Sequence, residues 1–277
     1  MSTQADIVVT DHAYVAKSRS MRNLISRLFG HGKAIVTTSI SFGIVLVVWQ
    51  LVGASDGPRS IFLPTPGTVM RALWQLFTET SFYVDVWWSI YRVSVGFLLS
   101  ILVAVPLGLL AGRFKIIDRL VQPINDFTRY LPVASLIPLC ILWVGIGDLN
   151  KILIIFIGTV FQLIPLVADT ALNVPESLID IARACGASKS DVVWKVVFRW
   201  CLPTIYDQSR VALGWAWSYL IVAELVATTS GIGRVIIQAQ RFIQTPRVIA
   251  GIIVIGCLGL FFDQTFKKMK RYFFRYL

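Results

Sequence analysis

The sequence predicts an all-α integral membrane protein with six transmembrane helices, and three observations carry that prediction. Of 277 residues, 56% are hydrophobic and 15% charged, where a soluble domain carries about 25% charged residues; mean hydropathy is +0.72. The stretches 34–52, 93–112, 131–147 and 152–168 contain no Asp, Glu, Lys or Arg, and a bilayer asks for about 17–25 mainly apolar residues per helix. Lys and Arg are concentrated in alternate connections. Lipid-exposed irregular backbone costs several kcal/mol per unpaired group, so these runs form helices.

In chain order, residues 1–33 read as a polar cytoplasmic lead-in, too long and polar before the first apolar run for a cleavable signal peptide. Span one covers 34–52. Beyond a turn-rich stretch, Leu63-Pro64-Thr65-Pro66 places a cap at Thr65 and a helix start at Pro66. Val69, Leu73, Leu76 and Phe77 then fall on one face, as in an amphipathic helix at the outer membrane surface. Trp87, Trp88 and Tyr91 suit an aromatic belt at headgroup level. Arg92 reads as a snorkelling interfacial residue, with a substrate-contacting charge as the alternative.

Spans two to four occupy 93–112, 131–147 and 152–168, with Pro106, Pro132, Pro138 and Pro165 inside them. Each proline removes a backbone hydrogen bond and favours a kink; kinks suit pathway-lining helices and ordinary bundle packing alike. Span five, 211–229, is interrupted by Glu224, and span six starts at 248. A transmembrane domain over 34–266 and a basic cytoplasmic tail over 267–277 complete the division.

The net charge of +11 points to the bilayer rather than nucleic acid because of where the cations lie. Arg113, Lys115, Arg119 and Arg129 share one connection; Arg183, Lys189, Lys195 and Arg199 share another; Lys17 to Lys33 and Lys267 to Arg275 flank the ends. The intervening segments hold fewer, Lys151 alone in one of them. The positive-inside rule then puts both termini in the cytoplasm. Cys140, Cys185, Cys201 and Cys257 show no Cys-x-x-Cys spacing and read as small buried hydrophobes.

The connection 174–203 is longer than two neighbouring spans require. Pro175 opens a helix with Leu178, Ile181, Ala182 and Cys185 on one apolar face, and Gly186 permits a turn. Ser188 or Ser190 caps a second helix with Asp191 at capping-box spacing from Ser188; Val192, Val193, Val196, Val197 and Trp200 form its apolar face, and Pro203 ends it. Two short helices projecting basic and apolar residues make a docking element.

Asp180-Ile181-Ala182-Arg183-Ala184-Cys185-Gly186-Ala187-Ser188 resembles the Glu-Ala-Ala loop of binding-protein-dependent ABC importer permeases. Asp180 stands for the Glu, while Ala182 and Gly186 match. Phe198-Arg199 stands where the family has Leu-Pro, and Leu202-Pro203 matches a second such pair. Elsewhere the chain is similar to the nitrate, sulfonate, taurine and bicarbonate permease subfamily at Leu63-Pro64-Thr65-Pro66, Arg92-Val93, Pro106-Leu107-Gly108, Trp143 to Gly147, Ala223-Glu224 and Gly231-Ile232-Gly233.

The resemblance implies a type I importer permease fold in the bacterial inner membrane. It implies two cytoplasmic ATPase subunits, a second permease copy and an extracytoplasmic substrate-binding protein as partners. Its docking loop corresponds here to Asp180, Ala182, Arg183, Gly186, Ala187, Ser188, Lys189 and Asp191. The implied function is import of a small anionic or zwitterionic nutrient, with pyrimidine-type vitamin precursors as a second substrate class.

Glu224, the acid inside span five, is a gate or pathway candidate or a buried structural hydrogen-bonding group. Gln162, Trp215, Ser218 and Tyr219 are candidates to line the path, with packing as their other reading. His12 and His31 have no matching ligands, no His-Glu-x-x-His run occurs, and no phosphate-binding Gly-x-x-x-x-Gly-Lys loop occurs. The chain is therefore expected to hold no metal or cofactor and to be no enzyme, with ATP bound by the partner. A self-contained channel or secondary carrier is the reading from another class, and Glu224 is its main support.

Overall fold

The computed structural model describes residues 39–54, 62–79, 81–226 and 229–275, and every regular element among them is helical. The predicted lead-in, 1–33, lies outside the described residues. The chain divides into two compact units, 1–67 and 68–277. In the first, helix α1 (Ser39–Gly53) is tied to the following segment by the Trp49 indole, which donates to the Pro64 carbonyl at 3.0 Å.

Helix α2 (Pro66–Glu79) starts at the predicted proline. Val69, Ala72 and Leu76 are its buried positions, while Phe77 is half exposed and meets Phe82 edge-on at 5.0 Å between ring centroids. The second unit continues with α3 (Phe82–Arg113), α4 (Lys115–Thr128), a 3-10 turn (Val133–Leu136), α5 (Ile137–Val144) and α6 (Asp148–Leu172). Then come α7 (Glu176–Ala184), α8 (Lys189–Asp191), a π turn (Val192–Val197), α9 (Phe198–Glu224), α10 (Ile232–Arg241) and α11 (Thr245–Phe273).

The core lies where α3, α6 and α9 pack, around Leu109, Leu163, Val167, Leu213 and Leu220. Glycines let α3 and α6 approach closely, as small residues do between membrane helices. A Cβ at Gly108 would sit 2.6 Å from that of Val167, and one at Gly112 would sit 2.7 Å from that of Ala171. Polar links reinforce the contact. Ser100 donates to the Phe156 carbonyl at 3.2 Å, and the Gln208 amide of α9 donates to Thr170 Oγ1 at 2.8 Å.

Helix α11 packs on α9 through Trp217 and Phe262, with centroids 5.8 Å apart, and through the Arg210–Asp263 pair at 3.0 Å. It runs unbroken through residue 266 to Phe273. Cys140 and Cys201 are buried as predicted, but Cys185 and Cys257 are exposed, because one ends α7 at the surface and the other lies on the outward side of α11.

Three helices, α3, α6 and α11, are long and apolar enough to cross a membrane, and a fourth crossing results if the bent pair 115–128 and 133–144 counts as one span. Run 131–147 is not the single helix that its composition predicts. Its helical part, 133–144, is bent by 94° against the preceding helix 115–128; Pro132 precedes the 3-10 turn, and α5 stops after eight residues at Gly145, φ 77°. Eight helical residues extend only about 12 Å, less than half a bilayer core. Helix α9 covers the start of run 211–229 but also carries Arg199, Asp207 and Arg210, which lower its hydropathy.

Candidate functional site

The α7–α8 hairpin is closed by local signals on both sides of its turn. Gly186 adopts φ 83°, a region that costs an L residue about 1–2 kcal/mol. Its N–H donates to the Arg183 carbonyl at 2.9 Å, and the Ala187 N–H donates to the Ala182 carbonyl at 3.0 Å. These paired bonds form a Schellman closure that satisfies the last carbonyls of α7.

Ser188 and Asp191 then form the predicted capping box: the Asp191 N–H donates to Ser188 Oγ at 3.2 Å, and the Ser188 N–H donates to Asp191 Oδ2 at 3.3 Å. Lys195 Nζ lies 2.5 Å from Asp191 Oδ1. Hydrogen bonds from Lys195 and Ser188 draw the Asp191 carboxyl down to about 2. Ile179 anchors α7 in the core at 0% exposure, whereas Leu178 and Ile181 are exposed. Of the apolar residues that periodicity groups together, Leu178, Ile181 and Cys185 thus face outward with Asp180 and Arg183, which pair at 3.5 Å, while Ala182 packs against the core.

The second helix does not end at Pro203. The π turn 192–197 feeds directly into α9, and Pro203 lies inside it. Its ring removes one hydrogen bond near the helix start, too little to end a helix held by buried Val197, Cys201 and Ile205.

At the far end of α9 a second constellation gathers four helices. Arg92 is buried at 1% exposure, so it does not snorkel. Its guanidinium donates to Glu224 Oε1 at 2.6 Å, Asp148 Oδ1 at 2.7 Å, the Ser230 carbonyl at 2.7 Å and Ser230 Oγ at 2.6 Å. Desolvation of a guanidinium is tolerable only with such complete pairing.

Glu224, together with Asp85 and Ser89 of α3, also caps α10. The N–H groups of Gly231, Ile232 and Gly233 donate to Asp85 Oδ1 at 2.7 Å, Ser89 Oγ at 2.9 Å and Glu224 Oε2 at 2.8 Å. Ser89 also donates to Glu224 at 2.9 Å, and Arg234 pairs with Asp85 at 2.7 Å. Orphan N–H groups and the positive end of the helix dipole are thereby satisfied by two acids and a hydroxyl from other helices. Gly231, at φ 112°, has no room for a side chain: a Cβ there would meet the Glu224 carboxylate and the Arg92 guanidinium.

Comparison with known proteins decides the family. The family model described as "Binding-protein-dependent transport system inner membrane component" matches residues 104–270. The chain belongs to this family. The aliphatic sulfonates transport permease protein of Bacillus subtilis is 32% identical over 228 residues, covering 82% of this chain and 83% of that protein. The taurine transport system permease protein of Escherichia coli is 30% identical over 243 residues, covering 85% and 88%. Among solved structures, an inward-facing MetNI methionine ABC transporter chain shares the fold at TM-score 0.63 and 20% identity, covering 69% of this chain and 95% of that one.

The permease is thus a transport subunit of an ABC importer and not itself an enzyme. Of its sequence-predicted path residues, Glu224 is fully buried within the network just described. Tyr219 lies against Gly158 of α6, Trp215 and Tyr219 pack on the core, Gln162 is half-buried, and Ser218 is exposed. Asp180, Arg183, Lys189 and Asp191 come together on the hairpin with Ala182, Gly186, Ala187 and Ser188.

Asp85, Ser89, Asp148 and Arg234 escape sequence reasoning. A signal existed for the first two, since Asp85, Ser89 and Arg92 recur at i, i+4 and i+7 on one face of a helix that is otherwise apolar. No group of three or more His, Cys, Asp or Glu residues suited to a metal ion occurs among the described residues.

Proposed function

We propose that the permease is one of two identical membrane-spanning subunits of an importer that moves a small anionic or zwitterionic nutrient into the cytoplasm. The substrate class is that of sulfonates, taurine, nitrate and bicarbonate. Two cytoplasmic ATPase subunits drive it, an external binding protein supplies it, and six spans leave both termini inside. The α7–α8 hairpin is the observation that carries this reading: its closure is complete at both caps, and its charged and apolar side chains are turned outward.

A rigid hairpin is what an ATPase needs in order to push on a permease. The π turn joins it to α9 without a break, so displacement at residue 186 reaches Glu224 at the opposite end of a helix about 40 Å long. That end holds α10 and the starts of α3 and α6 through Arg92 and Asp85, and tilting α9 would exchange outward for inward access. The names of the sulfonate and taurine relatives support the substrate class. A self-contained carrier gains nothing from Glu224, whose two oxygens accept from Arg92, Ser89 and Gly233.

The test is ATPase activity of the permease–ATPase complex in nanodiscs with a binding protein loaded in turn with taurine, an alkanesulfonate, nitrate and bicarbonate. Stimulation by one loaded form is the expected result. ATP-independent uptake by the permease alone, with no stimulation by any loaded form, would sink the importer reading.

A further inference from the structure

Helix α10 presents Arg234, Ile237, Gln238 and Arg241 at i, i+3, i+4 and i+7, one face of the helix. Its opposite face, Ile232, Ile236 and Ala239, is buried. The outward face borders a cavity of about 460 Å³ whose walls also include Leu225 and Phe242. The lining combines two arginines, an amide and the Glu224 carboxylate with three apolar side chains, Leu225, Ile237 and Phe242, and once the carboxylate is paired this is the make-up of a site for an anionic headgroup with a short hydrocarbon body.

The charges within it are not equivalent. Glu224 is committed to Arg92, Ser89 and Gly233. Arg234 is neutralised by Asp85 at 2.7 Å and donates to the Gln238 carbonyl oxygen at 3.3 Å, which leaves the Gln238 amide N–H groups as donors. No ion pair involves Arg241 among the described residues, so it supplies the uncompensated positive charge. The turn after it is fixed by Ile243, held at φ 55°, and by the Gln244 N–H donating to the Ala239 carbonyl at 2.8 Å.

We propose that this cavity is an anion-recognising vestibule, in which Arg241 and the Gln238 amide bind the sulfonate-type headgroup while Leu225, Ile237 and Phe242 hold its carbon chain. The proposal rests on the substrate class and orientation argued above and deepens them. The binding protein chooses the ligand; the vestibule receives the released anion before α9 moves. The network around Arg92 sets the position of α10 and thereby of the site.

The experiment uses the complete permease–ATPase complex in phosphatidylcholine nanodiscs, probed by saturation-transfer NMR with butanesulfonate and with its uncharged counterpart butyl methyl sulfone. The sulfonate should bind more tightly than the sulfone, and Arg241→Gln should weaken the sulfonate about tenfold with little effect on the sulfone, as loss of one charge-assisted contact does. Arg241→Lys should restore part of the preference, and equal thermal unfolding of both variants excludes misfolding. Equal affinity for the two compounds, or an Arg241→Gln variant indistinguishable from wild type, would overturn the proposal.

Sulfonate binding abolished by adding phosphatidylglycerol would assign the cavity to lipid headgroups and overturn it too. Failure of the wild-type complex to import any sulfonate, taurine, nitrate or bicarbonate from a loaded binding protein would instead remove the substrate class itself. Import that proceeds equally well in the Arg241→Gln variant removes only the vestibule.

Discussion

Arg92 and Glu224, 132 residues apart, meet at 2.6 Å with side chains 1% and 0% exposed. The pair closes a network that sets the end of α9 against the start of α3 and pins the first turn of α10. Its strength lies in completeness, because each buried charge has several partners and the cost of breaking one is the cost of stranding the others.

Removing one member of the pair should therefore destabilise more than any surface ion pair. Arg92→Ala or Glu224→Ala should cost about 3–5 kcal/mol; Glu224→Gln should cost less because its amide oxygen still accepts from Gly233. Thermal unfolding of the purified permease–ATPase complex measures both. A double-mutant cycle between the two positions should give a coupling of about 1–3 kcal/mol, and additive effects would show that the pair is energetically idle.

Gly186 makes a different demand, one of backbone. At φ 83° an alanine costs about 1–2 kcal/mol, enough to loosen the hairpin but not to dissolve it. A proline also deletes the N–H that donates to Arg183. Gly186→Ala should lower the ATPase stimulation elicited by loaded binding protein, and Gly186→Pro should abolish it while thermal unfolding of the transmembrane part stays near wild type. Intact stimulation in the proline variant would mean that the hairpin is not the coupling element.

Asp191 gives the hairpin a pH signature. Its carboxyl is drawn from the usual 3.8 to about 2 by Lys195 and Ser188. A depressed carboxyl stabilises the folded hairpin above its unfolded value, and that contribution disappears as pH falls from 3.8 toward 2. Amide hydrogen exchange at residues 188–192 should therefore stay slow, relative to the intrinsic rate, down to about pH 4 and lose protection below it. Asp191→Asn should lose the pH dependence and exchange faster throughout.

The hairpin was legible in the sequence because its determinants are local. Pro175, Gly186, Ser188 and Asp191 act within three or four residues, and the structure places the turn and the cap where they predict. The buried network was not legible, since Asp85 meets Arg234 across 149 residues and Glu224 meets Ser89 across 135, and no local period encodes which distant charges will pair. Arg92 was misread for that reason: a lone arginine beside tryptophans looks interfacial until its three carboxylate and carbonyl partners are brought together. Run 131–147 was misread differently, because hydropathy counts apolar residues and is blind to the geometry that Pro132 and Gly145 impose.

The α3–α6 contact offers a last test, since it depends on atoms that are missing. Gly108 and Gly112 lie one turn apart, and their absent side chains leave the space that Val167 and Ala171 occupy. Gly108→Val would force α3 away from α6, because the added Cβ meets the Val167 Cβ and the Ile164 carbonyl oxygen, which no rotamer change moves, at about 1–3 kcal/mol for overpacking. Gly43 provides the control: it lies inside α1 and has nothing within 4 Å of an added Cβ, so Gly43→Ala should be harmless or stabilise by up to about 1 kcal/mol. Gly108→Ala should itself cost about 1–3 kcal/mol, and adding Val167→Ala should recover little of it, because alanine keeps the Cβ that lies 2.6 Å from the added one and the Ile164 carbonyl oxygen lies 2.8 Å from it. If thermal unfolding of the complex shows Gly108→Ala to be as harmless as Gly43→Ala, the close approach of these two helices does not contribute to stability.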